Sequence, residues 1–344
     1  MYTPILKWKA GEKRALQKLP DKIKDQILPI FELQPCSDTD DINTIAKKFG
    51  DDITKCFGPN RDFMLDFSYF DLDMTSSEYV KKFLSISLSK GANCIPVISL
   101  ENYNLLLDQF IESKNFIKHG IAIRITAETI LEYDELMKKI IDKIQIEKRS
   151  ITLIIDFETI DEKNFNLFVL GFKNIKDNSN LNEYNRTIVT ATGFPNGFPS
   201  FYMNNETMKL FERTELLLWK KIDTSGINNI HFGDYCCNSP APLIADTSNL
   251  RPSAIIKYTT ENSWLIVKGG QLFREGYSQY CDLSKKIIQS DYFMGENYSY
   301  GDKYIYDCAH KDKDQDKNFG NPTTWVQVAT NHHITLMVNH SFNL

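Results

Sequence analysis

The stretch IAIRITAETILEYDELMKKIIDKIQIEKRSITLIIDFE, residues 121–158, decides the fold. It opens on a run of β-branched and apolar residues, Ile121–Thr126, and closes on another, Ile151–Glu158. Between them Ile130, Leu131, Leu136, Ile140, Ile141 and Ile144 recur at the three-to-four spacing of one helix face. Strands that are apolar on both faces and joined through a helix belong to a parallel sheet covered by helices.

The cadence continues in both directions. Strand-like runs at Pro4–Lys9, Ile27–Gln34, Phe63–Ser68, Cys94–Glu101, Thr187–Thr192 and Asn229–Asp234 join these two, with helical stretches at Gly11–Leu19, Ser76–Leu88 and Asn205–Trp219 among them. Eight strand–helix units in about 235 residues match a (β/α)8 barrel, which typically takes ~250. An open doubly wound sheet is the alternative, although no strand is followed by the G-x-G-x-x-G fingerprint of dinucleotide binding. The expected fold is α/β, a TIM-barrel-like domain over residues 1–239 with a smaller α+β extension over 240–344. In the extension, Ala254–Thr260 and Ser263–Gly269 read as a hairpin turning at Glu261-Asn262, and Cys281–Ser290 reads as a helix. Lys311–Lys317 reads as a solvated loop and Ile334–Val338 as a last strand.

The chain has 344 residues, 42% hydrophobic and 25% charged, with a net charge of −5, which excludes fibrous and disordered classes and general nucleic-acid binding. Its apolar runs are strand-sized, against the ~20 residues of a membrane helix. No leader-like apolar core follows Met1. Seven cysteines without a C-x-x-C pair suit the reduced thiols of a cytoplasmic protein.

Side chains of a strand alternate between faces, so each run can be sorted. Ile5, Lys7 and Lys9 share a face, as do Ile30 with Glu32, Met64 with Asp66, Ala122 with Arg124, and Ile154 with Asp156 and Glu158. In each run the polar residues come last, at the C-terminal strand ends where barrels build their sites. Lys7, Lys9 and Arg124 could hold a small anionic ligand, with Glu32, Asp66, Asp156 and Glu158 as acid, base or metal ligands. The competing reading is a rim of mutually neutralising ion pairs. No H-x-H, H-E-x-x-H, G-x-S-x-G or G-x-x-x-x-G-K-[ST] motif is present, and neither a metal nor a cofactor is expected. The loop Gly193–Pro199, after the seventh run, reads as a shaped contact surface. In the expected last strand, His332 and His333 point to opposite faces and cannot share a metal without a bulge.

Motifs at both ends carry a family likeness. Tyr2-x-Pro4-x-Leu6-Lys7-x-Lys9-x-Gly11-Glu12-x-x-Ala15-Leu16 opens the chain and Pro29-Ile30-Phe31-Glu32-Leu33 follows. Near the end stand Tyr298-Ser299-Tyr300-Gly301-Asp302, Gly320-Asn321-Pro322-Thr323-Thr324-Trp325 and Asn331-His332-His333-Ile334-Thr335. This combination resembles the beta protein family of phages and prokaryotes over roughly the whole chain. The resemblance implies a phage- or mobile-element-associated protein of the kind found in antiphage defence modules beside nuclease-like partners. It brings no established activity. It directs attention to Lys7, Lys9, Glu12 and Glu32, and to Asp302, Asn331, His332 and His333. Two functions stay open. One is a recognition subunit for a phage product or a partner effector, with no membrane or general nucleic-acid role. The other is a hydrolase or phosphodiesterase acting on a nucleotide or phosphorylated small molecule.

Overall fold

The structure is a computed structural model that describes residues 1–34, 41–69, 77–99, 114–130, 133–194, 208–240 and 251–340. The chain divides into two compact units. The first takes Met1–Trp8, Asp25–Thr192 and Thr214–Tyr235; the second takes Lys9–Lys24, Gly193–Arg213 and Cys236–Leu344. The chain therefore leaves the first unit twice before its final departure at Cys236.

The first unit is a closed barrel of eight parallel strands. In order around it run β1 (Thr3–Leu6), β2 (Ile30–Glu32), β3 (Asp62–Asp66), β4 (Asn93–Ile98), β5 (Ile121–Thr126), β6 (Ile151–Thr159), β7 (Arg186–Thr192) and β9 (Ile230–Asp234), which closes onto β1. The parallel register pairs Ile5 with Ile30, Ile30 with Met64, and Thr3 with Gly233. Helices Ile42–Cys56, Ser77–Ser89, Tyr133–Ile144, Phe165–Asn178 and Thr214–Lys221 lie between strands as a (β/α)8 fold requires. Asp41 starts the first of these by accepting from the backbone N–H groups of Asn43 and Thr44.

Both strand faces are buried, as a helix-covered parallel sheet demands. Ile5, Ile30, Met64, Val97, Ala122, Ile154 and Ile188 form one cluster, the faces assigned by alternation. The opposite faces of β2 and β3 send Phe31 and Phe63 against Phe49 and Trp8, with ring centroids of Trp8 and Phe31 4.6 Å apart. Tyr2 donates from its hydroxyl to Asp234 Oδ1 at 2.5 Å, a buried polar link across the seam where β9 meets β1.

The second unit is built on a three-stranded antiparallel sheet in the order β10 (Ser253–Thr259), β11 (Ser263–Gln271), β8 (Met208–Glu212). The hairpin between β10 and β11 turns at Glu261-Asn262 as its sequence requires. Helices Ala10–Gln17, Gln279–Ile288, Tyr300–Ala309 and Pro322–Asn339 complete this unit. Its core joins Ile256, Tyr258, Leu265 and Val267 of the sheet to Tyr280, Ile287, Ile305, Trp325 and Val328 of the helices.

Two expectations are corrected here. The helix over Asn205–Trp219 is a strand and a shorter helix: Met208–Glu212 pairs with β11 in the register Leu210 to Leu265, and only Thr214–Lys221 is helical. Residues 205–207 lie outside those described. Ladder pairing overrides the local helical spacing of Met208, Leu210 and Phe211. The strand at Ile334–Val338 is instead the end of helix Pro322–Asn339. That helix is buried nearly all round, so it shows no 3.6-residue stripe, and its Val, Ile and Thr residues mimic a strand. Its start was legible: Pro322 sits in the first turn, and Asn321 accepts from the Thr324 N–H at 3.0 Å. No helix among the described residues is long and apolar enough to cross a membrane.

Glycine 233 marks the tightest point of the barrel wall. A Cβ there would lie 2.6 Å from Thr190 Cγ2 and 2.7 Å from the Thr3 carbonyl oxygen. Gly233→Ala must push β7 or β1 outward, and it is expected to cost roughly 1–3 kcal/mol of unfolding free energy. Urea titration of the two proteins checks this, and equal midpoints would show slack at the seam.

Candidate functional site

Four inward positions bring charge to the C-terminal ends of the barrel strands. Glu32 ends β2, Asp66 ends β3 and stands opposite Glu32 in the register, Arg124 lies in β5, and Asp156 lies in β6. All are buried, with Glu32 and Asp156 at 0% exposure and Arg124 at 5%. The Arg124 guanidinium is the hub. Nη1 donates to Glu32 Oε1 at 3.0 Å and to Asp66 Oδ2 at 2.5 Å. Nε and Nη2 donate to Asp156 Oδ2 at 2.9 and 2.6 Å. Nη2 also donates to the hydroxyl of Tyr235, which in turn donates to Asp156 Oδ2 at 2.5 Å.

The outer carboxylate oxygens are met by neighbouring backbone. Asp66 Oδ1 accepts from the Ser68 N–H and hydroxyl at 2.8 and 2.6 Å, and Asp156 Oδ1 accepts from the Glu158 N–H at 2.9 Å. Glu32 differs. Its Oε2 is buried with no hydrogen-bond partner among the described residues. Burial pushes its carboxyl up to about 7; the Asp66 charge adds to the rise, while Arg124 and Lys7 pull against it. Burial likewise raises the Tyr69 phenol, with the Glu32 charge next. Burial opposes the charge on Arg124, but Tyr235, Asp156, Asp66 and Glu32 together hold its proton well above the ordinary value.

Of the left-handed non-glycine residues of the barrel unit, Asn60 and Gln145 precede strands, and two others lie at this end. Trp8, just after β1, and Glu158, near the end of β6, have φ of 41° and 53° without being glycine. A left-handed residue of this kind costs on the order of 1 kcal/mol and persists where its surroundings enforce it. At Glu158 the enforcing contact is the N–H donated to Asp156.

The residues picked out by alternation thus part company. Lys7, Glu32, Asp66, Arg124 and Asp156 are buried inward positions, and the charge of Lys7 reaches Glu32. Glu158 contributes its backbone and leaves its side chain half-buried. Lys9 is exposed and stands at the N-cap of helix Ala10–Gln17, in the other unit. Tyr235 was missed, because it falls one residue beyond β9; extending the alternation from Gly233 would have found it. In the loop Gly193–Pro199, residues 195–199 lie outside those described.

The motifs of the second unit form a separate buried network. Asp302 Oδ2 accepts from Ser299 Oγ at 2.5 Å and pairs with His332 Nδ1 at 2.8 Å, while its Oδ1 accepts from the Tyr258 hydroxyl at 2.7 Å. The other His332 nitrogen faces the Thr259 carbonyl oxygen at 2.8 Å. Each ring nitrogen therefore has its own oxygen partner. Asn331 donates to the Ala15 carbonyl and accepts from the Gly301 N–H, both at 3.1 Å. His333 meets the Thr259 hydroxyl at 2.9 Å and stacks on Trp264. Glu12 accepts from Asn238 at 2.9 Å. Helix geometry sets His332 and His333 about 100° apart around the axis, so each has its own partner.

A closed (β/α)8 barrel with a buried arginine–carboxylate cluster at its C-terminal strand ends defines the class. The sequence matches the Beta protein family over residues 2–339, and the chain belongs to that family. A search of curated proteins returns no match.

Two predictions follow from these networks. Arg124→Met leaves three buried carboxyl groups without their hub, and it should lower stability at pH 7 by ~3–5 kcal/mol in denaturant titration. Part of that loss should return at lower pH as the carboxyls take up protons; a loss that ignores pH would point to packing alone. For Asp302, burial by itself would raise the pKa, but the charge and hydrogen bond of His332, then Ser299 and Tyr258, outweigh it and hold the carboxyl below 3.8. Its contribution is therefore present above that value and lost as pH falls through the folded one. Asp302→Asn should cost roughly 3 kcal/mol at neutral pH. Its acid limb should also be flatter than that of the wild type in pH-dependent melting.

Proposed function

We propose that this chain acts on a small polar ligand at the C-terminal mouth of its barrel, and that Glu32 exchanges a proton with that ligand as the acid–base group of a hydrolase. The observation that carries this reading is the Glu32 carboxyl, raised to about 7 with one buried oxygen unpartnered. Such a group is shared between its two protonation states at neutral pH, which suits it to give a proton to a leaving group or take one from water. Arg124, Asp66 and Asp156 position it: Arg124 fixes Oε1, and the Asp66 charge favours the protonated form.

The recognition reading keeps one supporting observation, the depth of the cluster. A network at 0–5% exposure can serve simply to brace a barrel whose surface meets a protein. On that view the chain is the binding component of an antiphage or mobile-element module, as the resemblance implies, and the mouth does no chemistry.

Glu32→Gln separates the two. Gln retains the oxygen that accepts from Arg124, so the fold is expected to survive. Because the folded carboxyl value is raised, the wild type has its full stability below the ordinary 4.5 and loses it as pH rises through about 7. That loss is on the order of 3 kcal/mol, and it should be absent from the variant. Wild type and variant are then incubated with a small-molecule extract of host cells and followed by mass spectrometry. Turnover by the wild type alone supports the hydrolase. No change in any compound, with a protein partner retained equally by both, would sink it.

A further inference from the structure

On sequence alone Arg124 belongs with Lys7 and Lys9 in an anion clamp, whereas its hydrogen bonds argue the reverse polarity. All five guanidinium N–H groups are committed: Nε to Asp156, Nη1 to Glu32 and Asp66, Nη2 to Asp156 and Tyr235. None is left to donate to a phosphate or carboxylate of a ligand. Asp66 Oδ1 and Asp156 Oδ1 are occupied by backbone and Ser68 donors. Glu32 Oε2 remains, a fully buried acceptor without a partner among the described residues. Beside the cluster, Ser68, Tyr69 and Glu158 are half-buried.

We propose that the ligand group placed at Glu32 Oε2 is a protonated amine, and that the mouth selects amine-bearing small molecules over phosphorylated ones. This rests on the acid–base reading of the same site. The charges near Glu32 come from several elements of the barrel. Arg124 on β5 and Lys7, one residue beyond β1, supply two cations; Asp66 on β3 and Asp156 on β6 supply two carboxyls; Tyr69 and Tyr235 are phenols. With Glu32 ionised, three buried carboxylates stand against two buried cations, and one further positive charge balances that buried set. A proton fills that role when no ligand is present. An ammonium group would fill it by donating an N–H to Oε2, and the Glu32 proton passes to water as the ammonium enters. An incoming phosphate would add charge to a set already short of cations, with no guanidinium donor to receive it.

Proton and amine therefore compete, which makes the inference measurable. Protein with 13C-labelled glutamate carboxyls is titrated by NMR, alone, with ethanolamine, and with inorganic phosphate. Alone, the Glu32 signal should titrate near neutrality. Ethanolamine should shift that titration downward by about one unit at saturation, and its affinity should rise about fivefold from pH 6 to pH 8. Glu32→Gln, with its fold confirmed by melting, should lose ethanolamine binding, and phosphate should leave the Glu32 signal unmoved. A Glu32 that titrates in the ordinary carboxylate range overturns the acid–base reading itself. A Glu32 that titrates near neutrality but ignores ethanolamine, or answers to phosphate, overturns the amine inference and leaves that reading standing.

Discussion

One guanidinium organises the barrel interior. Three carboxyl groups from β2, β3 and β6 point inward where exposure is at or near zero, a placement that would be untenable for each alone. Arg124 makes it tenable because its planar fork offers five donors at fixed angles, which a lysine ammonium cannot do. The arrangement in turn needs the strands in one register: Glu32 must stand opposite Asp66, and Asp156 must lie within reach from β6. Strand pairing and charge neutralisation are thus one constraint. A slip of one residue in any of these strands would turn a charge toward the helix layer.

The cluster is nonetheless incompletely satisfied, and the deficit sits at one atom. Asp66 and Asp156 receive backbone N–H donors, whereas Glu32 Oε2 receives none among the described residues. A network meant only to brace the barrel gains nothing from that omission, since an unpartnered buried oxygen costs about 1–3 kcal/mol. Strained backbone at Trp8 and Glu158 lies at the same strand ends. Unmet polarity and stored strain in one place are features that working sites share.

The second unit solves a like problem with other chemistry. Asp302 is buried with His332 as its counter-charge, and Ser299, Tyr258 and the Thr259 carbonyl complete the shell. Asn331 ties this shell to the first helix of the unit through Ala15, and Gly11 allows that helix to approach, since a Cβ there would lie 2.8 Å from Val326. Motifs separated by some three hundred residues of chain, among them Gly11, Ala15, Gly301, Asp302, Asn331 and His332, are therefore neighbours. Their joint presence as a family signature has a packing reason.

The sequence by itself determined the barrel. Period-two alternation and the strand–helix cadence are local properties, so Ile121–Thr126 appears with the bounds read from its residues, and the inward set Lys7, Glu32, Asp66, Arg124 and Asp156 could be sorted strand by strand. Where burial is uniform the local signal vanishes. Helix Pro322–Asn339, enclosed on all sides, read as a strand, and Met208–Glu212 read as a helix until pairing with β11 decided otherwise. Tertiary structure alone settled which charges meet. It sent Lys9 to the surface, brought in Tyr235 from beyond a strand end, and committed every donor of Arg124 to the protein itself. A face can be inferred from spacing along one strand, but a contact depends on register and shear between strands, which no single strand encodes.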